Sequence, residues 1–399
     1  MRGNRLLALL LALCVIMVSA AAEGVTLHTV SCFAGADRAA EAYVSILRQY
    51  ETQTGNTVID RSAASDEAWK TGVLHDFAAG NEPDVLFFFA AGADSAPILG
   101  RVVPISLINQ EYPDAALPIN DALCESDGQV YAIPARSYWE GLYVNTDVFE
   151  SVGVPLPTDW DSLVYAVSAF REAGIVPIAV SLSDIPHYLA EFAILACAAP
   201  EEQQARPASL QEVPQSWYQA MSLIRELYCM HAFADNVFST YESASTDLFL
   251  TKQAAMQFDG SWLAASLPPE NMDTTAVLPI PLREGQGVSD CYIGGISMGF
   301  YLTRRAWNSD RRDAAVQLLQ LLTRQDSLQR LGNTLLRDRL QDSAMRLTEG
   351  RSMLSPLQDA MNSRAREMWL LECVPAVAGG TMSPEECWQR VMALHPFGE

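Results

Sequence analysis

From Val25 onward, short blocks of consecutive apolar residues alternate with longer stretches in which apolar residues recur every three or four positions. The first block, VTLHTVSCF, predicts a strand ending at Phe33. After Gly35, residues Ala39, Tyr43, Ile46, Leu47 and Tyr50 share one helical face, predicting a helix from about Asp37 to Thr52 with Gly55 at its C-terminus. NTVID predicts the next strand, and Trp69, Val73, Leu74 and Phe77 a helix closed by Gly80. PDVLFFFA then predicts a strand buried on both faces. The order β-α-β-α-β is that of an α/β unit with a largely parallel sheet.

A second unit follows. GLYVNTDVF reads as a strand running into a short helix, and VPLPTDW as a turn. Thr158 and Asp161 make a capping-box-like pair opening a helix with Leu163, Val167 and Phe170 on one face and Gly174 at its end. VPIAVSL predicts another buried strand, and Ile185-Pro186-His187-Tyr188 opens a helix carrying Phe192 and Leu195. Residues 200–214 are polar and loop-like, and helices are predicted near 215–232 and 243–254. AAMQF is a strand leading into Asp259-Gly260-Ser261-Trp262. After Pro281 and the Gly-rich REGQG, CYIGGISMGFYLT predicts a strand with two adjacent glycines, followed by a helix near Arg311 to Arg330. The remainder reads as helical and contains Trp369 and Trp388.

A chain of 399 residues exceeds one ordinary core, so two lobes are expected. Hydrophobic residues at 49% and charged residues at 19% describe a packed protein. A net charge of −22 argues against a nucleic-acid or anionic-membrane partner. Arg2 and Arg5, the apolar run Leu6–Val18 and the small residues Ser19–Ala22 form a secretory signal peptide over residues 1–22. An extracytoplasmic location is therefore expected, periplasmic, secreted or at the cell surface. No lipid anchor is evident, since Cys14 follows a bulky Leu13 and more apolar sequence comes after it. Cysteines 32, 124, 197, 229, 291, 373 and 387 are odd in number and form no disulfide framework, although a Cys373–Cys387 pair stays open. No Cys/His cluster suggests a metal, and no phosphate loop, GxGxxG, GxSxG or HExxH motif suggests a cofactor or a catalytic site.

Several stretches, in order, carry a resemblance: AAGNEPDVLFF, then DGQVYAIPARSYWEGLYVNTDVFESVGVPLPTDWDSL, then AAMQFDGSW, then YIGGISMGFYLTRRAW. From about Val25 to Leu331 the chain resembles the extracellular solute-binding proteins of ABC importers, in the sugar-binding class that includes maltose-binding protein. The resemblance implies an α/β, two-lobe periplasmic-binding-protein fold, type II-like, with the ligand cleft between the lobes. Residues 24–136 plus 296–340 would form the N-terminal lobe and 137–295 plus 341–399 the C-terminal lobe, closing by a hinge. It also implies a monomeric, non-catalytic receptor without cofactor, whose partners are a small-molecule sugar and a membrane ABC permease.

Candidate contacts cluster at strand ends, where open α/β sheets gather ligands. An indole stacks well on the C–H face of a sugar ring. At its strand-to-helix turn Trp262 suits a stacking platform or a core plug, and the resemblance implies stacking. Asp259 suits two hydroxyl contacts or, preferably, a turn cap. Tyr138, Trp139 and Glu140 follow the first interlobe crossing. An ionised carboxylate accepts strong hydrogen bonds from hydroxyls. On a strand, Tyr138 and Glu140 share one face and Trp139 takes the other, so at least one of them belongs to a core. The family's acidic contact aligns with Tyr138, not with Glu140. His187 aligns with a family aromatic contact and equally suits a solvent-facing helix start; Tyr188 adjoins it. Asp94 lies where the family presents an acid and an aromatic, yet AAGADSA lacks the aromatic and also fits an exposed loop. Phe33 suits stacking, with Ser31 as a donor beside it and Cys32 as a buried thiol. Gly295, with Gly294, permits close approach of backbone to ligand, or marks a bulge at a crossing.

The expected function is capture of a mono- or oligosaccharide and delivery to a permease. Arg136 keeps an acidic sugar or an amino acid open. A polyamine or other cation receptor of the same fold is the alternative, separated by the number of acids in the cleft. A secreted glycoside hydrolase would need two flanking carboxylates, for which Glu140 and Asp259 are the candidates.

Overall fold

The computed structural model describes residues 24–398 apart from 36, 38, 65, 66, 91–94, 185, 285 and 332–338. The signal-peptide segment 1–22 and Asp94 lie outside the described residues, as does the side chain of His187. The strands are β1 (Thr26–Val30), β2 (Thr57–Asp60), β3 (Val85–Phe89), β4 (Ile133–Asn145), β5 (Val176–Ala179), β6 (Ala254–Gly260), β7 (Thr275–Leu278), β8 (Cys291–Leu302) and β9 (Ser352–Leu354). The longer helices are α1 (Ala40–Thr54), α2 (Glu67–Ala79), α3 (Trp160–Glu172), α4 (His187–Cys197), α5 (Gln215–Cys229), α6 (Glu242–Leu250), α7 (Arg312–Leu322), α8 (Arg339–Thr348) and α9 (Pro384–Met392).

Strand order is β2-β1-β3-β8-β4-β6-β5, with β7 beside β4 and β9 beside β8. β1, β2 and β3 are parallel, as the β-α-β-α-β pattern predicts, and β8 closes this half antiparallel to β3. β4 then serves both halves. Its first part pairs Ile133 to Trp139 with Phe300 to Gly294 of β8, through register shifts on either side of Arg136. From Glu140 to Val144 it pairs instead with β6, and from Leu142 to Asn145 with β7. Sequence reading begins this strand only at Gly141; the structure extends it back to Ile133 as one 13-residue element.

The apolar residues collect into separate cores. One holds Leu27, Tyr43, Phe87, Ile133, Phe300 and Leu319. A larger one holds Leu142, Phe170, Phe192, Trp217, Met256, Trp369 and Trp388. A third covers the opposite face of the β4–β6–β7 sheet with Tyr143, Phe249, Val277, Leu340 and Leu347. Alternation along β4 explains the division, since Leu142 and Val144 enter the large core and Tyr143 the other. The C-terminal helices complete the large core, where Trp388 lies between Trp217 (ring centroids 4.9 Å) and Trp369 (5.6 Å). Within that helical run, Met368–Cys373 adopts a π-turn just before Pro375, whose missing N–H cannot continue the α-helical ladder.

Element boundaries differ locally from the sequence reading. α1 begins at Ala40 rather than Asp37, and ends at Gly55 with φ 73° as expected. The capping pair of α3 sits one residue later: Asp159 accepts from the Ser162 N–H at 2.8 Å, and the Ser162 hydroxyl accepts from the Asp159 N–H at 3.1 Å. The helix expected over 311–330 stops at Leu322, where the Thr323 hydroxyl donates back to the Leu319 carbonyl at 2.8 Å, and resumes at Gln325. The loop-like stretch from 200 contains a short helix, Pro200–Gln203.

Candidate functional site

β6 is buried at every position, including its polar end Gln257, Asp259 and Gly260. Asp259 Oδ1 accepts the Gly260 N–H at 2.7 Å, and Oδ2 accepts from Gln257 Nε2 at 2.8 Å. The Trp262 indole lies close enough to this carboxylate to lower its pKa. A Cβ on Gly260 would fall 2.2 Å from the Trp262 ring, so only glycine lets the indole fold back over the strand end. The Asp-Gly-Ser-Trp turn therefore fixes the tryptophan without burying it: Trp262 remains 43% exposed.

Two tyrosines flank that indole. Tyr138, from β4, lies 5.8 Å from it at 42°, and Tyr188, from the first turn of α4, lies 5.6 Å away at 40°. The Tyr138 hydroxyl lies close enough to Asp359 for that carboxylate to raise its pKa. Behind the Tyr138 ring runs Gly295, where a Cβ would come within 3.0 Å of it. Residues from β4, β6, β8 and α4 thus converge on one aromatic surface beside the point where β4 passes between the cores.

Four carboxyl groups lie near the aromatic surface, three of them buried and Asp359 exposed. Glu191, on α4, accepts the N–H groups of Leu357 and Gln358 at 3.0 and 2.9 Å, and burial pushes its pKa up to about 7. Burial likewise raises Asp259 to about 7, against the lowering effect of its hydrogen bonds. Asp359 is exposed and lies near the Tyr138 hydroxyl. Glu140 is 8% exposed and lines a small pocket with Tyr188, Phe192, Phe258, Asp259 and Ile293. Burial drives its pKa well above the usual carboxylate range, and repulsion from Glu191, Asp359 and Asp259 adds to the shift. Among the described residues, no donor hydrogen-bonds the Glu140 carboxylate. Glu191 and Asp359 went unread in the sequence. Glu191 stands three positions after Tyr188 and so shares its helix face, a legible signal. Asp359 lies in a stretch without pattern.

Of the remaining candidates, Trp139 and Phe33 lie apart from this surface. Trp139 turns to the opposite face of β4, stacked on Tyr143 at 5.7 Å in the third cluster. Phe33 is 2% exposed and packs on Tyr43 and Phe87 at 4.8 and 4.5 Å in the first core. The Arg136 guanidinium covers Phe33 at 4.6 Å and grips Asp37 through both terminal nitrogens at 2.7 and 2.8 Å. Its charge is thereby matched within the protein. Ser31 and Ser62 hydroxyls share a bond of 2.6 Å, and burial pushes the Cys32 thiol up to about 11. Gly294 and Gly295 sit in the paired part of β8 opposite Trp139 and Tyr138. Cys373 and Cys387 are free, neighbouring buried thiols. Among the described residues, no group of three or more His, Cys, Asp or Glu is placed to hold a metal ion, and no helix is long and apolar enough to cross a membrane.

Solved structures share this fold. One, from work on xylan utilization by the thermophilic bacterium Caldanaerobius polysaccharolyticus, superposes with a TM-score of 0.72 at 20% identity, covering 92% of this chain and 99% of the other. A chitin oligosaccharide binding protein gives 0.73 at 18% identity, covering 94% and 98%. RafE, the raffinose complex of a protein also solved in apo form from Streptococcus pneumoniae, gives 0.68 at 16% identity, covering 93% and 98%. At these identities the likeness establishes the two-lobe solute-binding fold. No curated protein matches the chain by sequence. The family model described as bacterial extracellular solute-binding protein matches residues 45–335, most of the chain, and the protein belongs to that family.

Proposed function

We propose that the protein is the extracytoplasmic substrate-binding component of an ABC transporter, capturing a mono- or oligosaccharide by hinge closure and delivering it to a membrane permease. The observation that carries this reading is the exposed face of Trp262, held by the Asp259 turn and flanked by Tyr138 and Tyr188. A rigid aromatic face of this kind binds sugar C–H surfaces at small entropic cost. Structural relatives that bind raffinose or chitin oligosaccharide support the ligand class. The lobes in this reading are 24–136 plus 296–340 and 137–295 plus 341–399, and residues 1–22 direct export. The protein acts as a monomer and catalyses no reaction. A hydrolase would use Glu140 and Asp259 as flanking carboxylates, but both Asp259 oxygens are already engaged in holding the Trp262 turn.

Thermal denaturation against a panel of neutral mono- and oligosaccharides, amino acids and aliphatic amines tests the reading. A true ligand at a hundredfold excess over Kd stabilises the protein by about 2.7 kcal/mol. Stabilisation by carbohydrates is expected. Stabilisation by amino acids alone, or turnover of chromogenic glycosides, overturns the proposal.

A further inference from the structure

Glu140 poses a problem that the sugar reading alone does not solve. Its carboxyl group is more than nine-tenths buried, faces the pocket beside Tyr188, and meets no hydrogen-bond donor among the described residues. Among the described residues, the charges acting on it are negative, those of Glu191, Asp359 and Asp259. Two of the three are engaged elsewhere: Glu191 by two backbone N–H groups and Asp259 by its own turn. Among the described residues, Arg206 is a cation that acts on this group of acids, through Glu191. Buried charges are ordinarily paired, and a lone one is costly. Protonation does not remove the difficulty, because a neutral carboxyl group would then need an acceptor for its own hydrogen.

We propose that the bound solute carries a protonated amine, and that this ammonium lodges between Glu140 and the aromatic surface of Trp262, Tyr138 and Tyr188. The proposal rests on the sugar reading above and narrows it to amino sugars. An ammonium supplies the donors that Glu140 lacks and neutralises the surplus of negative charge around it. Two tyrosine rings, each within 6 Å of the Trp262 indole, attract a cation with it through their π faces, and their flat surfaces still accept the rest of a sugar ring. A neutral hydroxyl in the same place would leave the surplus charge uncompensated.

Isothermal titration calorimetry with the full-length exported protein tests this, using D-glucosamine, D-glucose and N-acetyl-D-glucosamine, the β-1,4-linked dimers of each, and spermidine. The amine-bearing sugars should bind about tenfold or more tighter than the hydroxyl and acetamide forms, a gap of about 1.4 kcal/mol. E140Q, which keeps the shape and removes the charge, should collapse that ratio. Its melting curve reports whether it has folded, and the wild-type comparison decides the question if it has not. Neutral or acetylated sugars binding as tightly as the amines would overturn the ammonium while leaving the sugar reading intact. Spermidine binding with no sugar bound would support the ammonium and overturn the sugar reading. Failure of every amine to bind at millimolar concentration overturns the proposal.

Discussion

Trp262 keeps 43% of its surface open although its turn is fixed by a buried carboxylate, a combination that suits contact better than packing. Trp262→Ala should weaken ligand binding by about 2 kcal/mol, as for a central aromatic contact, and leave the melting temperature almost unchanged. Calorimetry alongside a thermal melt checks this; a collapsed melt with intact binding would make the residue a core plug. Gly260 gives a second, independent handle. Gly260→Ala inserts a methyl group where the indole lies, at 2.2 Å, so the ring must leave its position. Binding should fall nearly as far as for Trp262→Ala, and intrinsic tryptophan fluorescence should shift as the indole is displaced. Trp139 is separated from Tyr138 and Glu140 by strand parity, since neighbouring residues on β4 face opposite sides of the sheet.

Among the elements, α3 and α9 show how differently two helices depend on their sequence. Asp159→Ala removes the N-cap of α3 and should cost about 1 kcal/mol, read by chemical denaturation. Trp388→Ala on α9 empties the centre of a stack with Trp217 and Trp369 and should cost about 3–5 kcal/mol in the same assay. The helix faces and buried strands behind these effects were legible in the sequence, because Tyr43, Ile46 and Tyr50, or VLFFF, advertise burial through period alone. The site was legible in part. The strand end carrying Asp259, Gly260 and Trp262 stood out, and so did Tyr138 with Glu140. The meeting of Glu191 and Asp359 did not, because residues more than a hundred positions apart are joined through backbone N–H groups that carry no side-chain signature. β9 was equally silent, being three residues long and paired only to β8.

At the scale of the molecule, the buried acids tie stability to pH. Asp259 and Glu191 hold protons up to about pH 7 in the folded state, against ordinary values of 3.8 and 4.5 in the open chain. The native protein therefore binds more protons than the unfolded chain between these limits, and stability falls as pH rises from about 4 through about 7. The ligand-free protein should melt at a higher temperature at pH 5 than at pH 8. E140Q should raise the pH 8 value by removing the cost of burying this carboxyl group among like charges. A flat profile, or one rising with pH, would show that these carboxyl groups titrate normally. The shared strand β4 has a last consequence. Tyr138 follows Arg136 of the first half by two residues, a span of roughly 7 Å. The proposed binding surface would thus sit almost on the fulcrum about which the halves would turn. A given rotation sweeps the outer rims widely while shifting Tyr138 and Glu140 only slightly. Entry of a bulky solute would then be gated by angle, while the grip on its innermost unit would be nearly indifferent to it.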